Sequence, residues 1–444
     1  MNHYTPVSNL SFISKVIEKA VAHQLNYHLL ANALYETNQS AYKPLHSTET
    51  ALLMVQNDIL MALDDRRAVF LLLLDLSAAF DTVKHSTLLS RLQSCYGITG
   101  QALAWMESYL CNRKQAVAIN FSVSSSRDLH FGVPQGSVLG PVLFSLYTSP
   151  ITDIIQSHGV KYHLYADDTQ LYLAFNPACS EDLVAATSCV EACVAEIRVW
   201  MSRNYWKLND DKSELLVFHT RHSPRPNTSN IMVGEEGITP TASCRNIGVV
   251  FDDTLTFEAH INSVCMTSFW HLRNIWRICT YLDKLSLEIL IHAFIANKLD
   301  YCNSLLTGLP NYLIKRLQSV QNAAARLVSG SKKHDHITPV LQDLHWLPVE
   351  KRITYKTLLV TFKYLNNLAP SYLSDLIIQY KPTRTLRSSS QNLLVISRTN
   401  TIRYGGRAFC AVVPRLWNGF PPDIRSINSL ELFKKTLKRF LFTL

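Results

Sequence analysis

Six apolar residues in a row, Val69-Phe70-Leu71-Leu72-Leu73-Leu74, run straight into Asp75. The run lacks the alternation of a half-exposed strand and is far too short to span a bilayer, so it predicts a central strand buried on both faces. Whatever folds around it must supply apolar partners above and below. The carboxylate at its end borders that core, where an unpaired charge costs several kcal/mol. A second acidic pair, Asp167-Asp168, follows 92 residues later. It lies between two strand-like stretches, 160–165 and 169–175, which predicts a hairpin with carboxylates at its tip. Adjacent carboxylates repel and raise one pKa. Within six residues on either side of the pair, Lys161 is the only Lys or Arg. A divalent cation relieves both problems, because Mg²⁺ prefers carboxylate oxygens, water and phosphate. Two such ions, about 4 Å apart, activate a hydroxyl and stabilise a leaving pyrophosphate. On its own, however, an Asp-Asp turn is no more than an acidic turn.

The chain has 444 residues, 47% of them hydrophobic, which is too long for one ordinary domain and predicts two or three subdomains. Its net charge is +9, unevenly spread. Residues 301–444 carry 21 Lys and Arg against 6 Asp and Glu, and the rest carry 22 against 28. A basic lobe beside a carboxylate-bearing lobe suits an enzyme that grips phosphates with one and holds metal with the other; a basic surface without a specific partner fits the charge equally well. The ten Cys are scattered with no C-x-x-C pair, which excludes a zinc knuckle of that kind and predicts a reducing compartment. Met1 leads into a polar stretch without the apolar core of a signal peptide, so an intracellular protein, nuclear or cytoplasmic, is expected. Gly136-Ser137-Val138-Leu139-Gly140 is not a serine-hydrolase elbow, and no P-loop occurs. His334-Asp335-His336 reads as a solvated loop before it reads as a metal site.

Residues 9–33 predict an amphipathic helix with Ile13, Val16, Ile17, Ala20, Val21 and Leu25 on its apolar face. A second helix is predicted over 47–64 with Ser47 as N-cap. Further helices are predicted over 85–95, 99–111, 138–156 and 180–204, and strands over 115–123, 127–132, 214–219, 230–233 and 246–251. Beyond 257 the pattern is mainly helical. The stretch 310–328 carries Leu313, Leu317, Val320, Ala324 and Leu327 on one stripe, with Gly330 as stop signal. The stretch 381–407, rich in Ser, Thr and Arg, is less regular.

Three motifs occur in fixed order: Leu73-Leu74-Asp75-Leu76-Ser77-Ala78-Ala79-Phe80-Asp81, then Gly132-Val133-Pro134-Gln135-Gly136-Ser137, then Tyr165-Ala166-Asp167-Asp168. Together they resemble the palm motifs of reverse transcriptases. Asn209, Lys212 and Ser213, and Ile247-Gly248-Val249-Val250-Phe251-Asp252, resemble two further palm motifs of LINE-type (non-LTR) retrotransposons. Pro6-Val7-Ser8-Asn9, Gln39-Ser40-Ala41-Tyr42-Lys43 and His46-Ser47-Thr48-Glu49 look like that family's fingers motifs, and Leu309-Pro310 with Arg316–Leu327 is similar to the region after its palm.

The resemblance implies an α+β right-hand polymerase with an antiparallel palm sheet and a mainly helical C-terminal region. Its expected parts are partial fingers over 1–68, a palm over 69–255, a helical thumb over 256–335 and a basic C-terminal region over 336–444. It also implies an RNA-directed DNA polymerase that adds dNTP to a DNA primer on an RNA template, with two Mg²⁺ ions for which Mn²⁺ can substitute. Asp75, Asp167 and Asp168 are the implied metal ligands, joined by the Leu76 carbonyl. Phe80 stands where the family places its steric gate against a 2′-hydroxyl. Gln135 and Gly136 are implied to approach nucleotide and template, Lys43 to meet the triphosphate, and Lys212 to neutralise pyrophosphate. Lys315, Arg316 and Arg326 are expected to track hybrid phosphates, a largely sequence-independent and salt-sensitive contact.

Two departures stand out. The family's Arg between Tyr and Pro is replaced in Tyr4-Thr5-Pro6. The chain also begins inside the fingers, with no upstream endonuclease, as expected of a truncated element. The alternative reading is therefore a catalytically defective retroelement relic that only binds nucleic acid. A viral-type RNA-dependent RNA polymerase is the other rival, and Phe80 opposes it.

Overall fold

The apolar run forms β1 (Ala68–Leu74), the middle strand of a five-stranded sheet. Its neighbours are β2 (Lys161–Tyr165), β3 (Asp168–Phe175), β4 (Glu214–Phe218) and β5 (Pro240–Thr241), in the order β5-β4-β1-β3-β2. All pairs are antiparallel except β4 with the short β5. This computed structural model describes residues 8–77, 80–120, 122–221, 226, 230–234, 236–382 and 392–443. The expectations placed on Tyr4-Thr5-Pro6-Val7, on Ala78-Ala79 and on 383–391 fall outside those residues.

Strand residues alternate between faces, and β1 divides its side chains accordingly. Val69 and Leu71 enter one apolar cluster with Leu216 and Phe218 of β4, while Phe70, Leu72 and Leu74 enter a second with Leu215 and Val217. The second cluster is closed by α1 (Phe12–Ala31), α3 (Gly140–Thr148) and α4 (Ser180–Arg203). The first is closed by α2 (Thr48–Asp64) and by the C-terminal helices α5 (Glu258–Ile278), α6 (Asn311–Ser329), α7 (Val349–Leu365) and α8 (Leu430–Thr443). The basic third of the chain thus shares one continuous core with the sheet. The hairpin Ser243–Asn246 with Val249–Asp252 lies between them, burying Cys244 and Phe251 in that core. No helix among the described residues is long and apolar enough to cross a membrane.

Local signals account for several boundaries. Ser47 caps α2 in a reciprocal box with Thr50. α6 ends at Gly330 in the left-handed conformation at φ 70°, which glycine adopts without penalty. The helix expected over 138–156 is broken into α3 and Ile151–Ser157, because Pro150 cannot continue the hydrogen-bond ladder. The strand expected over 115–123 is reduced to the short pieces Arg113–Gln115, Ala118–Ile119 and Ser122–Val123.

The buried face of α1 is shifted from the expected stripe, of which Leu25 is buried and Val21 packs on the core. The helix buries Glu18, Ala22, Leu25 and Leu29, while Ile13, Val16 and Ile17 are exposed. Glu18 is drawn inward by backbone donors. Its Oε2 accepts from the amides of Val138 at 2.7 Å and Leu139 at 3.1 Å.

A second buried carboxylate fastens the C-terminal region to α2. Asp64, 2% exposed, accepts from the amides of Asn400 at 2.7 Å, Thr401 at 2.7 Å and Gly405 at 3.3 Å, and from the Thr401 hydroxyl at 2.6 Å. Burial opposes its charge, but the bonds from Thr401, Asn400 and Gly405 prevail and hold its pKa below the ordinary 3.8. A folded-state pKa below the unfolded one means that the contribution is full above the ordinary carboxylate range and is lost as pH falls through it. Asp64→Ala is expected to cost on the order of 3 kcal/mol in urea unfolding at neutral pH, because several donors lose their acceptor. The gap from wild type should narrow in acid; an unchanged midpoint would contradict the anchoring role.

Candidate active site

Leu74 of β1 pairs with Thr169 of β3, so the next step of the same register sets Asp75 opposite Asp168. Asp75 has the parity of Leu71 and Leu73, and Asp168 that of Gln170 and Tyr172, so both carboxylates leave the sheet on the face of the first cluster. Tyr165 pairs with Asp168 across a two-residue turn made by Ala166 and Asp167. The three acids expected from sequence therefore meet at one end of the sheet. The Leu76 backbone pairs with Leu208 just beyond it, and the Asn209 amide donates to the Asp75 carbonyl at 3.0 Å.

The electrostatics match an incomplete charge set. Burial raises the Asp167 pKa and the Asp75 charge raises it further, while Lys212 works the other way. Asp168 is pushed up to about 6 by burial, then by Asp167 and Asp75. The counter-charge present is Lys212, whose Nζ lies 3.1 Å from Asp75 Oδ2. Lys212 stands on the short turn Asp210–Lys212 and is largely exposed, so it approaches from the solvent side. Among the described residues no three His, Cys, Asp or Glu side chains close into a ready-made metal cage. An open, mutually repelling carboxylate set fits Mg²⁺, which keeps water and substrate oxygens in its shell.

The loop 132–139 is tied to the segment that follows Asp75. Gly132, at φ 88°, packs so tightly that an added Cβ would lie 2.9 Å from the Asp81 carbonyl oxygen. The Val133 amide donates to the Phe80 carbonyl at 2.9 Å, linking the loop to the first motif. Phe80 is half-buried and stacks on Phe144 with centroids 4.5 Å apart; Phe144 in turn stacks on Trp206. Gln135 Oε1 is buried without a partner, while Gly136 is exposed at φ 97°. Glu18 fixes the loop through Val138 and Leu139. Sequence reasoning missed this role; Glu18 is the one acid of its helix, and that was the available signal.

The remaining expected residues are occupied elsewhere. Lys43 is folded back, with Nζ donating to the Glu36 carbonyl at 2.6 Å and lying over the Tyr35 ring. Burial lowers its pKa to about 8, partly offset by Glu36. On α6, Lys315 is exposed, Arg316 lies 3.7 Å from Glu258, and Arg326 donates to the Asp335 carbonyl at 3.4 Å. Asp335 itself accepts from the Lys332 amide, so the 334–336 segment behaves as a hydrogen-bonded loop.

Carboxylates gathered where strands of a mainly antiparallel sheet end, with a helical C-terminal region packed on the same core, match the palm arrangement expected from the motifs. The chain belongs to the reverse transcriptase (RNA-dependent DNA polymerase) family, whose model matches residues 1–251. Its curated relatives are polymerases of mobile elements. It is 26% identical over 397 residues to the probable RNA-directed DNA polymerase from transposon BS of Drosophila melanogaster, covering 86% of this chain and 42% of that protein. It is 25% identical to the RNA-directed DNA polymerase from mobile element jockey of the same fly, covering 78% of this chain and 37% of that protein. The chain thus spans about two-fifths of the length of these relatives. The apo telomerase of Candida tropicalis overlaps 81% of this chain and 59% of its own at 9% identity, with a TM-score of 0.41, a likeness too loose to weigh.

Replacing one repelling acid should stabilise the metal-free protein. Asp168→Asn is expected to raise the unfolding midpoint in EDTA by roughly 1–2 °C. Added Mg²⁺ should raise the wild-type midpoint and leave the variant's nearly unmoved. A variant less stable than wild type in EDTA would show that the acids do not repel as argued.

Proposed function

We propose that this chain is an RNA-directed DNA polymerase that extends a DNA primer 3′-hydroxyl with dNTP on an RNA template. The observation that carries this reading is the gathering of Asp75, Asp168 and the turn residue Asp167 at one end of the sheet. Enzymes of this family use divalent metals; here Asp75, Asp167, Asp168 and the Leu76 carbonyl would hold two Mg²⁺ ions, with Mn²⁺ able to replace them. Bound there, such ions supply activation of the attacking hydroxyl and charge stabilisation on the departing pyrophosphate.

The chain's own groups do the positioning. Phe80, kept in place by Phe144, presents a flat wall where a ribose 2′-hydroxyl would stand. Gln135 brings an acceptor that lacks a protein partner, and Gly136 lets the backbone approach nucleotide and template closely. Lys212 offers a mobile cation beside the acids, suited to neutralising pyrophosphate. Lys43 reaches a triphosphate only by leaving the Glu36 carbonyl, and its lowered pKa lessens the cost of that exchange. Lys315, Arg316 and Arg326 would follow the phosphates of the hybrid. In this reading residues 1–68 serve as partial fingers, 69–255 as palm, 256–335 as thumb and 336–444 as a basic C-terminal region.

A second reading, binding without turnover, is favoured by the retracted Lys43. Primer extension on a homopolymer RNA template separates the two. Incorporation with Mg²⁺ or Mn²⁺ should vanish in Asp167→Asn/Asp168→Asn while RNA–DNA binding persists; label incorporated equally by both proteins would sink the enzyme. Phe80→Ala should improve rNTP use relative to dNTP by about tenfold or more, read as a ratio of kcat/KM. An unchanged ratio would remove Phe80 from the sugar-selecting role.

A further inference from the structure

The turn that carries Asp167 is not relaxed by its own sequence. Ala166 holds φ 58°, a left-handed conformation that a Cβ disfavours by about 1–2 kcal/mol. Glycine or asparagine is the usual residue for such a turn. The conformation is held from outside, by a segment far away in the chain. Residues 38–40 run alongside β2 as an added edge: Gln39 bridges Leu164 in parallel, Leu164 donates to the Asn38 carbonyl at 2.8 Å, and Ser40 donates to the Leu164 carbonyl at 3.0 Å.

From that edge the Gln39 side chain, 2% exposed, turns toward the tip. Its Oε1 accepts from the Ala166 amide at 3.1 Å and from the Ala41 amide at 2.9 Å. Its Nε2 donates to the Ala166 carbonyl at 3.5 Å. One side-chain amide therefore meets both backbone polar groups of the strained residue, as a neighbouring strand would. Its chemistry is also matched to its place. A glutamate would accept the same two amides, but would add a fourth negative charge beside Asp75, Asp167 and Asp168 and could not donate to the carbonyl.

We propose that Gln39 is a positioning residue that clamps Ala166 in the left-handed conformation and so aims Asp167 and Asp168 at the point they share with Asp75. It touches no reacting atom and acts through the hairpin backbone. The proposal rests on the reading of Tyr165–Asp168 as the catalytic tip.

Gln39→Ala in the full chain should lower kcat for primer extension by roughly 10- to 100-fold, the cost of a misplacement near 1 Å, with little change in KM for dNTP. Amide exchange over 161–168 should become faster. Adding Ala166→Gly should recover a large part of the lost kcat, since glycine adopts φ 58° unaided. A role limited to general stability would not be rescued by that change. Gln39→Glu, which keeps both accepted bonds, should preserve slow exchange yet lose kcat, and it serves the same purpose where Gln39→Ala fails to fold. Unchanged exchange in Gln39→Ala, unprotected exchange in Gln39→Glu, or a kcat loss that Ala166→Gly leaves in place would each overturn the clamp. If the wild type itself extends no primer, the functional reading fails, and the exchange measurements alone still decide whether Gln39 holds the turn.

Discussion

Everything in this molecule hangs on the register of one strand. β1 has no solvent face: its odd-numbered residues from Val69 enter one cluster and its even-numbered residues enter the other. A slip of one residue would exchange the two sets and seat each in a cavity shaped for the other. The same slip would carry Asp75 away from Asp168 and turn it to the wrong face. The hydrophobic partition and the meeting of the carboxylates are therefore one constraint, and packing on two sides supplies the energy that holds repelling charges together.

The acids of this protein divide into two kinds by their partners. Asp64 and Asp252 are saturated with N–H and O–H donors, distant in the chain for Asp64 and local for Asp252, which accepts from the amides of Thr256 at 2.8 Å and Phe257 at 2.6 Å. Glu18 does the same for the loop 132–139. These side chains serve as backbone anchors, and the pKa of Asp64 is depressed as a result. Asp167 and Asp168 face one another and Asp75 instead, and their pKa values rise. Burial pushes Asp64, Asp167 and Asp168 all upward, and the direction differs because N–H and O–H donors outweigh it at Asp64 while neighbouring carboxylates add to it at Asp167 and Asp168. An unmet demand for positive charge, set beside acids that have met theirs, is what distinguishes a ligand-holding cluster from a structural one.

Local order was readable from sequence wherever one signal dominated. The unbroken run at 69–74, the Asp-Asp turn, the Ser47 cap and the α6 stripe all appear where the pattern placed them. The reading went astray where a distant partner outweighed local pattern. α1 has an apolar stripe at helical spacing, yet it buries the neighbouring face because Glu18 satisfies two amides more than a hundred residues away. Periodicity weighs side-chain hydrophobicity and is blind to such donors. Of the site, the three acids were singled out by the motifs around them, and the strand register brings Asp75 and the Asp167-Asp168 turn to the same end of the sheet. The support from Gln39 was legible only as part of a motif, since its role depends on a backbone angle at Ala166.

The same consideration bears on the basic third of the chain. Charge alone separates residues 301–444 from the rest, but the buried polar contacts do not. Tyr372, from the short turn Ser371–Asp375, donates to the Thr50 hydroxyl of α2 at 3.0 Å and meets the Ser40 hydroxyl at 3.0 Å. Ser40 in turn lies 2.8 Å from His163 Nε2 on β2, and the Tyr372 ring stands edge-on to that imidazole. Burial drives the His163 pKa down to about 3, followed by the charges of His46 and Lys43, so this junction is uncharged at neutral pH. A neutral, water-excluded network is directional without adding to the charge at the nearby tip. The C-terminal residues therefore reinforce, from beneath, the segment that carries Gln39 and the strand that leads to Asp167. A truncation that removed them would take away part of what holds the carboxylates in register, even though none of its residues lies among them.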